Sequence, residues 1–128
     1  MARPKAKELT ERELEVMHVF WDRGESTATD VRESLANQGR DLAYTTVATL
    51  VRILLEKEFL KQTATERPFR FVAARTYEEV SGSLLGDMVQ KVFAGSRMNL
   101  LMRLFEQKKL TAAEQNRLQE ILESTTKK

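Results

Sequence analysis

Ala43-Tyr44-Thr45-Thr46-Val47-Ala48-Thr49-Leu50-Val51-Arg52-Ile53-Leu54-Leu55-Glu56-Lys57 is followed almost at once by Phe59-Leu60-Lys61-Gln62-Thr63-Ala64, and between the two the hydrophobic period changes. In the first stretch Val47, Leu50, Val51, Leu54 and Leu55 recur at the three-and-four spacing of one helix face, which predicts a helix from about Ala43 to Lys57. Its opening turn, Tyr44-Thr45-Thr46, is polar and falls on the opposite side from that stripe. The second stretch alternates as a strand does, Thr65-Glu66-Arg67-Pro68 carries turn residues, and Phe69-Arg70-Phe71-Val72 reads as a returning strand. Alternation puts Phe69 and Phe71 on the underside of the hairpin and Arg70 on the other face, with Arg67 at the tip.

Working outward, N-cap signals punctuate the rest of the chain: a threonine whose oxygen accepts from the helix, with a carboxylate three positions on. Thr10-Glu11-Arg12-Glu13 opens a first helix with Leu14, Met17, Phe20 and Trp21 on one side, ending at Asp22-Arg23-Gly24. Thr27-Ala28-Thr29-Asp30 opens a short second helix with Val31 and Leu35 facing inward. Beyond Arg75, Thr76-Tyr77-Glu78-Glu79 starts a fourth helix with Val80, Leu84, Met88, Val92 and Phe93 along a stripe. Ala94-Gly95-Ser96 separates it from a fifth carrying Leu100, Leu101, Leu104 and Phe105, and Thr111-Ala112-Ala113-Glu114 starts a last one carrying Leu118, Ile121 and Leu122.

The predicted fold is therefore mainly α with a small antiparallel β-hairpin (α+β). Three helices followed by a two-stranded ribbon is the element order of a winged helix-turn-helix, whose third helix enters the DNA major groove while the ribbon flanks it. Residues 1–75 are expected to form the winged-helix DNA-binding domain and residues 76–128 a helical dimerisation domain. Tyr44, Thr45 and Thr46 are hydrogen-bonding side chains placed where a recognition helix meets base edges and phosphates. Arg67 and Arg70 on the hairpin would neutralise a flanking phosphate or enter the minor groove, and Arg3, Lys5 and Lys7 would follow the backbone as a short arm.

Composition narrows the partners. Of 128 residues 41% are apolar and 31% charged, enough to build a core and keep it solvated, and there is no cysteine, which excludes disulfides and thiolate metal sites. No apolar run approaches a membrane span, and Met1-Ala2-Arg3-Pro4-Lys5 is not a signal-peptide core, so a soluble, non-secreted, cytoplasmic protein is expected. The net charge is only +2, with 13 basic against 12 acidic residues through Arg75, so positive charge facing DNA must be local. With one histidine, His18, and no phosphate-cradling glycine loop or nucleophile elbow, neither a metal site, nor a cofactor, nor catalysis is expected. Trp21, Phe69 and Phe71 read as core, and His18 as a surface or boundary residue.

The phrases Leu14-Glu15-Val16-Met17-His18-Val19-Phe20-Trp21, Ala43-Tyr44-Thr45-Thr46-Val47-Ala48-Thr49-Leu50 and Glu66-Arg67-Pro68-Phe69-Arg70-Phe71 resemble the penicillinase-repressor family (BlaI/MecI/CopY type), over nearly the whole chain. The resemblance implies a homodimeric winged-helix transcriptional repressor of a palindromic operator, of the kind that precedes β-lactamase or efflux genes. It implies operator contacts by Tyr44, Thr45, Thr46, Thr49 and Arg67. The C-terminal cysteine cluster of copper-responsive members is missing. In members released by a sensor protease the cut falls at an Asn-Phe bond, and the corresponding place here is Arg103-Leu104.

Dimerisation follows independently from apolar surplus. Leu84, Met88, Val92, Leu101, Leu104, Phe105, Leu118, Ile121 and Leu122 exceed what a small winged helix has surface to cover, and at about 25 cal/mol per Å² a symmetric partner is the economical cover. Gly82 and Gly86 would let two helices approach closely. The rival expectation, drawn from the near-neutral N-terminal part, is a winged-helix protein-interaction module that does not read DNA.

Overall fold

Reciprocal threonine caps fix where the first two helices begin. In the computed structural model, which describes residues 8–126, the Glu13 N–H donates to Thr10 Oγ1 (3.1 Å) and the Thr10 N–H to Glu13 Oε1 (3.0 Å), starting α1 (Glu11–Arg23). Gly24, at φ 86°, ends it, a conformation that a Cβ would strain. Thr27 and Asp30 repeat the reciprocal cap at the start of α2 (Ala28–Asn37), and α3 runs Tyr44–Glu56. The hairpin is β1 (Leu60–Ala64) against β2 (Arg70–Ala73), with Leu60 opposite Ala73 and Gln62 opposite Phe71. The register shifts at Thr63, so that Ala64 faces Arg70.

Backbone pairing outside the hairpin seats the wing. Ser26, wholly buried between α1 and α2, exchanges both backbone hydrogen bonds with Phe71 at 3.0 Å, adding a one-residue third strand to the sheet. Phe71 is thereby held in a core made of Val16, Met17, Val19 and Phe20 from α1, Val31 and Leu35 from α2, Val47, Val51 and Leu54 from α3, and Phe59, Leu60 and Val80.

Three apolar placements differ from the sequence expectation. The inward face of α1 is Val16, Met17, Val19 and Phe20, while Leu14 and Trp21 are half-buried. Trp21 sits at the boundary because its indole N–H has a polar partner there: it donates to Arg75 O at 2.9 Å, with its ring edge-on to His18 and Tyr77. Phe69 does not join Phe71 underneath. β2 starts one residue later, so Phe69 stays in the turn, 37% exposed, with the Arg67 guanidinium 5.2 Å from its ring centre.

By its contacts the chain divides into two compact units, Met1–Ser81 and Gly82–Lys128. The first turns of α4 (Tyr77–Lys91) belong to the first unit, because Val80 packs in its core and Tyr77 on Trp21. The second unit holds the rest of α4 with α5 (Arg97–Gln107) and α6 (Ala112–Thr126). Ala94 and Gly95, both at positive φ, break α4 from α5, and Ser96 and Thr111 cap the two helices that follow. Among the described residues no helix is long and apolar enough to cross a membrane.

A salt bridge ties the end of α3 back to the start of α1. Lys57 Nζ donates to Glu13 Oε1 and to Glu8 O, both at 2.8 Å, and the Glu13 side chain is only 5% exposed. Removing the cation strands a buried carboxylate, so Lys57→Ala should lower unfolding stability by about 2–3 kcal/mol, somewhat under the cost for a wholly buried pair, measured as the urea midpoint. At α2, the Thr27 N–H is the main cause that holds the Asp30 carboxyl below its usual 3.8, helped by the charges of Arg23 and Arg70. A depressed carboxyl contributes stability above its ordinary value and loses it as pH falls through the lower folded value. Wild type should therefore exceed Asp30→Asn by about 0.5–1 kcal/mol at neutral pH, and the gap should close in acid. A gap that persists unchanged at low pH would refute that account.

Candidate nucleic-acid interface

Helical geometry divides α3 into a dry face and a wet one. With Val47, Val51 and Leu54 fully packed, Tyr44, Thr45, Thr46 and Thr49 are all exposed, Tyr44 by 49%. Thr45, Thr46 and Thr49 come together with Leu50 around a shallow surface depression, so three of the four expected base-reading residues form one patch. The N-terminus of α3 is electrostatically open: Ala43 offers no side-chain cap, and its first turn carries no acidic residue. Such uncapped N–H groups favour a phosphate nearby.

Tyr44 turns toward a second concavity, shared with the wing. A groove of about 610 Å³ lies between α2, α3 and the hairpin, lined by Tyr44, Ala48, Arg52, Arg67, Phe69 and Phe71 among others. The structure thus brings Tyr44 and Arg67 to one groove. Arg70 is not among its lining residues; it is exposed, and its charge acts on Asp30 at the start of α2. Arg3 and Lys5, expected as a backbone-tracking arm, lie outside the described residues.

Ion pairs and hydrogen bonds engage several cations of the first unit. Arg40 makes a two-pronged bond to Glu15 (3.1 and 2.7 Å), Arg23 lies 3.9 Å from Asp30, Arg52 pairs with Glu56 (3.1 Å), and Lys57 with Glu13. Arg32 is spent on Leu42 O at 3.0 Å, bracing the connection into α3. Arg67 and Arg70 form no ion pair among the described residues, and the wing keeps an excess of positive charge over its one acidic residue, Glu66. Arg52, Gln62 and Thr29, which the sequence reading passed over, also reach the groove. Only Arg52 had a signal, its helical spacing of three from Thr49.

Residues 9–124, nearly the whole chain, match the family described as Penicillinase repressor. The chain belongs to the penicillinase-repressor family. It is similar to Transcriptional regulator BlaI of Mycobacterium tuberculosis strain H37Rv, at 34% identity over 104 residues, 80% of this chain and 75% of that protein. It is also similar to Methicillin resistance regulatory protein MecI of Mammaliicoccus sciuri, at 25% over 118 residues, 92% of this chain and 95% of that one. Among solved structures it resembles BpsR of Bordetella bronchiseptica (TM-score 0.46, 20% identity, 98% of this chain and 84% of that chain) and reduced MarR of E. coli (0.47, 13%, 93% and 79%). This penicillinase-repressor homologue is accordingly a DNA-binding transcriptional repressor and not an enzyme, as the sequence reading expected.

The groove's stability rests on Phe71, whose ring lines its floor and whose backbone pairs with Ser26. Phe71→Ala should cost about 3–4 kcal/mol, whereas Phe69→Ala, in the exposed turn, should cost under about 1 kcal/mol, compared by thermal or urea unfolding. Equal losses would contradict the placement of the two rings.

Proposed function

We propose that the protein acts as a homodimer on a palindromic operator, in the cytoplasm where that DNA lies, each subunit laying α3 in the major groove of one half-site with its wing on the flanking backbone. Tyr44, Thr45, Thr46 and Thr49 read or position the site, and Arg67 and Arg70 hold phosphates. The observation that carries this is the single exposed polar face of α3 beside two wing arginines without carboxylate partners among the described residues. Residues 1–75 do the reading and residues 76–128 the pairing.

Apolar exposure supports the dimer. Leu84, Met88, Val92, Leu101, Leu104, Phe105, Ile121 and Leu122 are all exposed in the single chain, Val92 by 68% and Leu104 by 51%, and Leu118 is half-buried. Nothing lies within 4 Å of where a Cβ would stand on Gly82 or Gly86, which leaves that strip of α4 open to a neighbouring helix. A two-fold partner burying about 1,200–2,000 Å² would cover this surface and match the symmetry of a palindrome. Joining two half-site readers converts the second binding step to an intramolecular one, so affinity depends on the arm. A sensor protease acting at Arg103–Leu104 would release the operator by the same logic. That bond lies inside α5, which has no buried residue to resist unwinding.

Thr46→Ala should reduce discrimination between the operator and scrambled DNA by about 1–2 kcal/mol, whereas Arg67→Ala should weaken both and lower the salt slope by about one. Gel shifts with DNA upstream of the gene, at two salt concentrations, measure both. A Leu104→Glu variant should sediment as a monomer and lose operator binding by at least about a hundredfold. Salt-independent binding, or a monomer that binds as well as wild type, would favour the protein-interaction module instead.

A further inference from the structure

The groove between α2, α3 and the wing is built for more than phosphate. Its volume, about 610 Å³, falls in the range of small-molecule sites, roughly 300–1,000 Å³. Its floor is hydrocarbon: Ala48 and the well-buried Val51 and Phe71, with Phe69 and Tyr44 adding aromatic faces. Its cations are Arg67 and Arg52, and no carboxylate is among the lining residues. Arg52 is already engaged by Glu56, on an exposed pair. Arg67 lies over the Phe69 ring and forms no ion pair among the described residues, so it is the cation available to a ligand.

A DNA phosphate would satisfy Arg67 and leave the apolar floor in water. A neutral hydrocarbon would cover the floor and leave the guanidinium unused. A ligand with a flat apolar body and one carboxylate satisfies both, through a planar, two-pronged bond to arginine and ring contacts to Phe69 and Phe71. We infer that this groove is a binding site for a small aromatic carboxylate, and that its occupancy withdraws Tyr44 and Arg67 from DNA. The binding half stands on the groove alone; the regulatory half rests on the repressor reading.

The test titrates the isotopically labelled full chain with 1-naphthoate, followed by amide NMR. Saturable shifts should cluster at Ala48, Arg52, Gln62 and Phe69, and the neutral isostere 1-naphthamide should bind about tenfold more weakly. Arg67→Gln, a surface change, should weaken naphthoate by about tenfold and leave naphthamide unchanged. Ala48→Leu, which fills the floor, should weaken both. Shifts that scatter without saturating, equal affinity for acid and amide, or the same shifts from inorganic phosphate at matched ionic strength would each overturn the site. In gel shifts with the gene's upstream DNA, saturating naphthoate should weaken binding by about tenfold, the factor by which occupancy and DNA exclude one another. Groove binding without that effect overturns the regulatory half alone. Failure to bind the DNA even without naphthoate overturns the repressor reading while the site stands.

Discussion

The rotational setting of α3 governs most of what this protein does. Val47, Val51 and Leu54 are buried essentially completely, each contributing about 1.5–3 kcal/mol relative to exposure. Turning the helix by one residue would drown that stripe and bring threonines into a dry core without partners, a change the small domain could not sustain. The same 3.6-residue period that hides the aliphatic residues therefore aims Thr45, Thr46 and Thr49 outward with little freedom. The exposed polar face is whatever the packing face leaves over.

The wing depends on a second, less visible fixture. A two-stranded ribbon alone is marginal in water, and this one has only four or five residues per strand. Ser26 supplies the missing edge with two backbone bonds to Phe71, and Phe71 packs into the buried core. Phe71 from the wing and Tyr44 from α3 thus line one groove together with Arg67. The charge economy follows from the same arrangement. Glu13, Glu15, Asp30 and Glu56 consume body cations at short range, so a net charge of +2 still leaves a positive wing.

Legibility in the sequence tracked how local the determining interaction was. Thr10, Thr27, Thr76 and Thr111, each followed three residues later by an acid, announce helix starts because the reciprocal cap closes within four residues, and every one is present in the structure. The hairpin was legible for the same reason. Ser26 was not, since its pairing with Phe71 spans much of the chain and carries no periodic signature. Glu13 read as a cap, which it is, but its partnership with Lys57 depends on how α3 ends against α1. Phe69 was misplaced by the rule of alternation, which holds only where residues are paired, and pairing begins at Arg70. The patch on α3 was legible as a polar turn; the groove beside it, closed by three elements, was not.

The second unit leaves many large apolar side chains exposed in the single chain. α5 has no buried residue, and Leu104, Phe105 and Met102 all face solvent on it. Helices of this length are marginal in water on propensity alone, so α5 and α6 depend on apolar burial for their order. In the proposed dimer that burial arrives with the partner, which makes folding of the arm, association and grip on the operator one linked equilibrium. In that proposal, release through the arm would act independently of any ligand held in the groove of the first unit. On that proposal, any event that dilutes the protomer or unravels one arm helix would remove the second half-site's effective concentration and release the DNA while both winged helices remain folded.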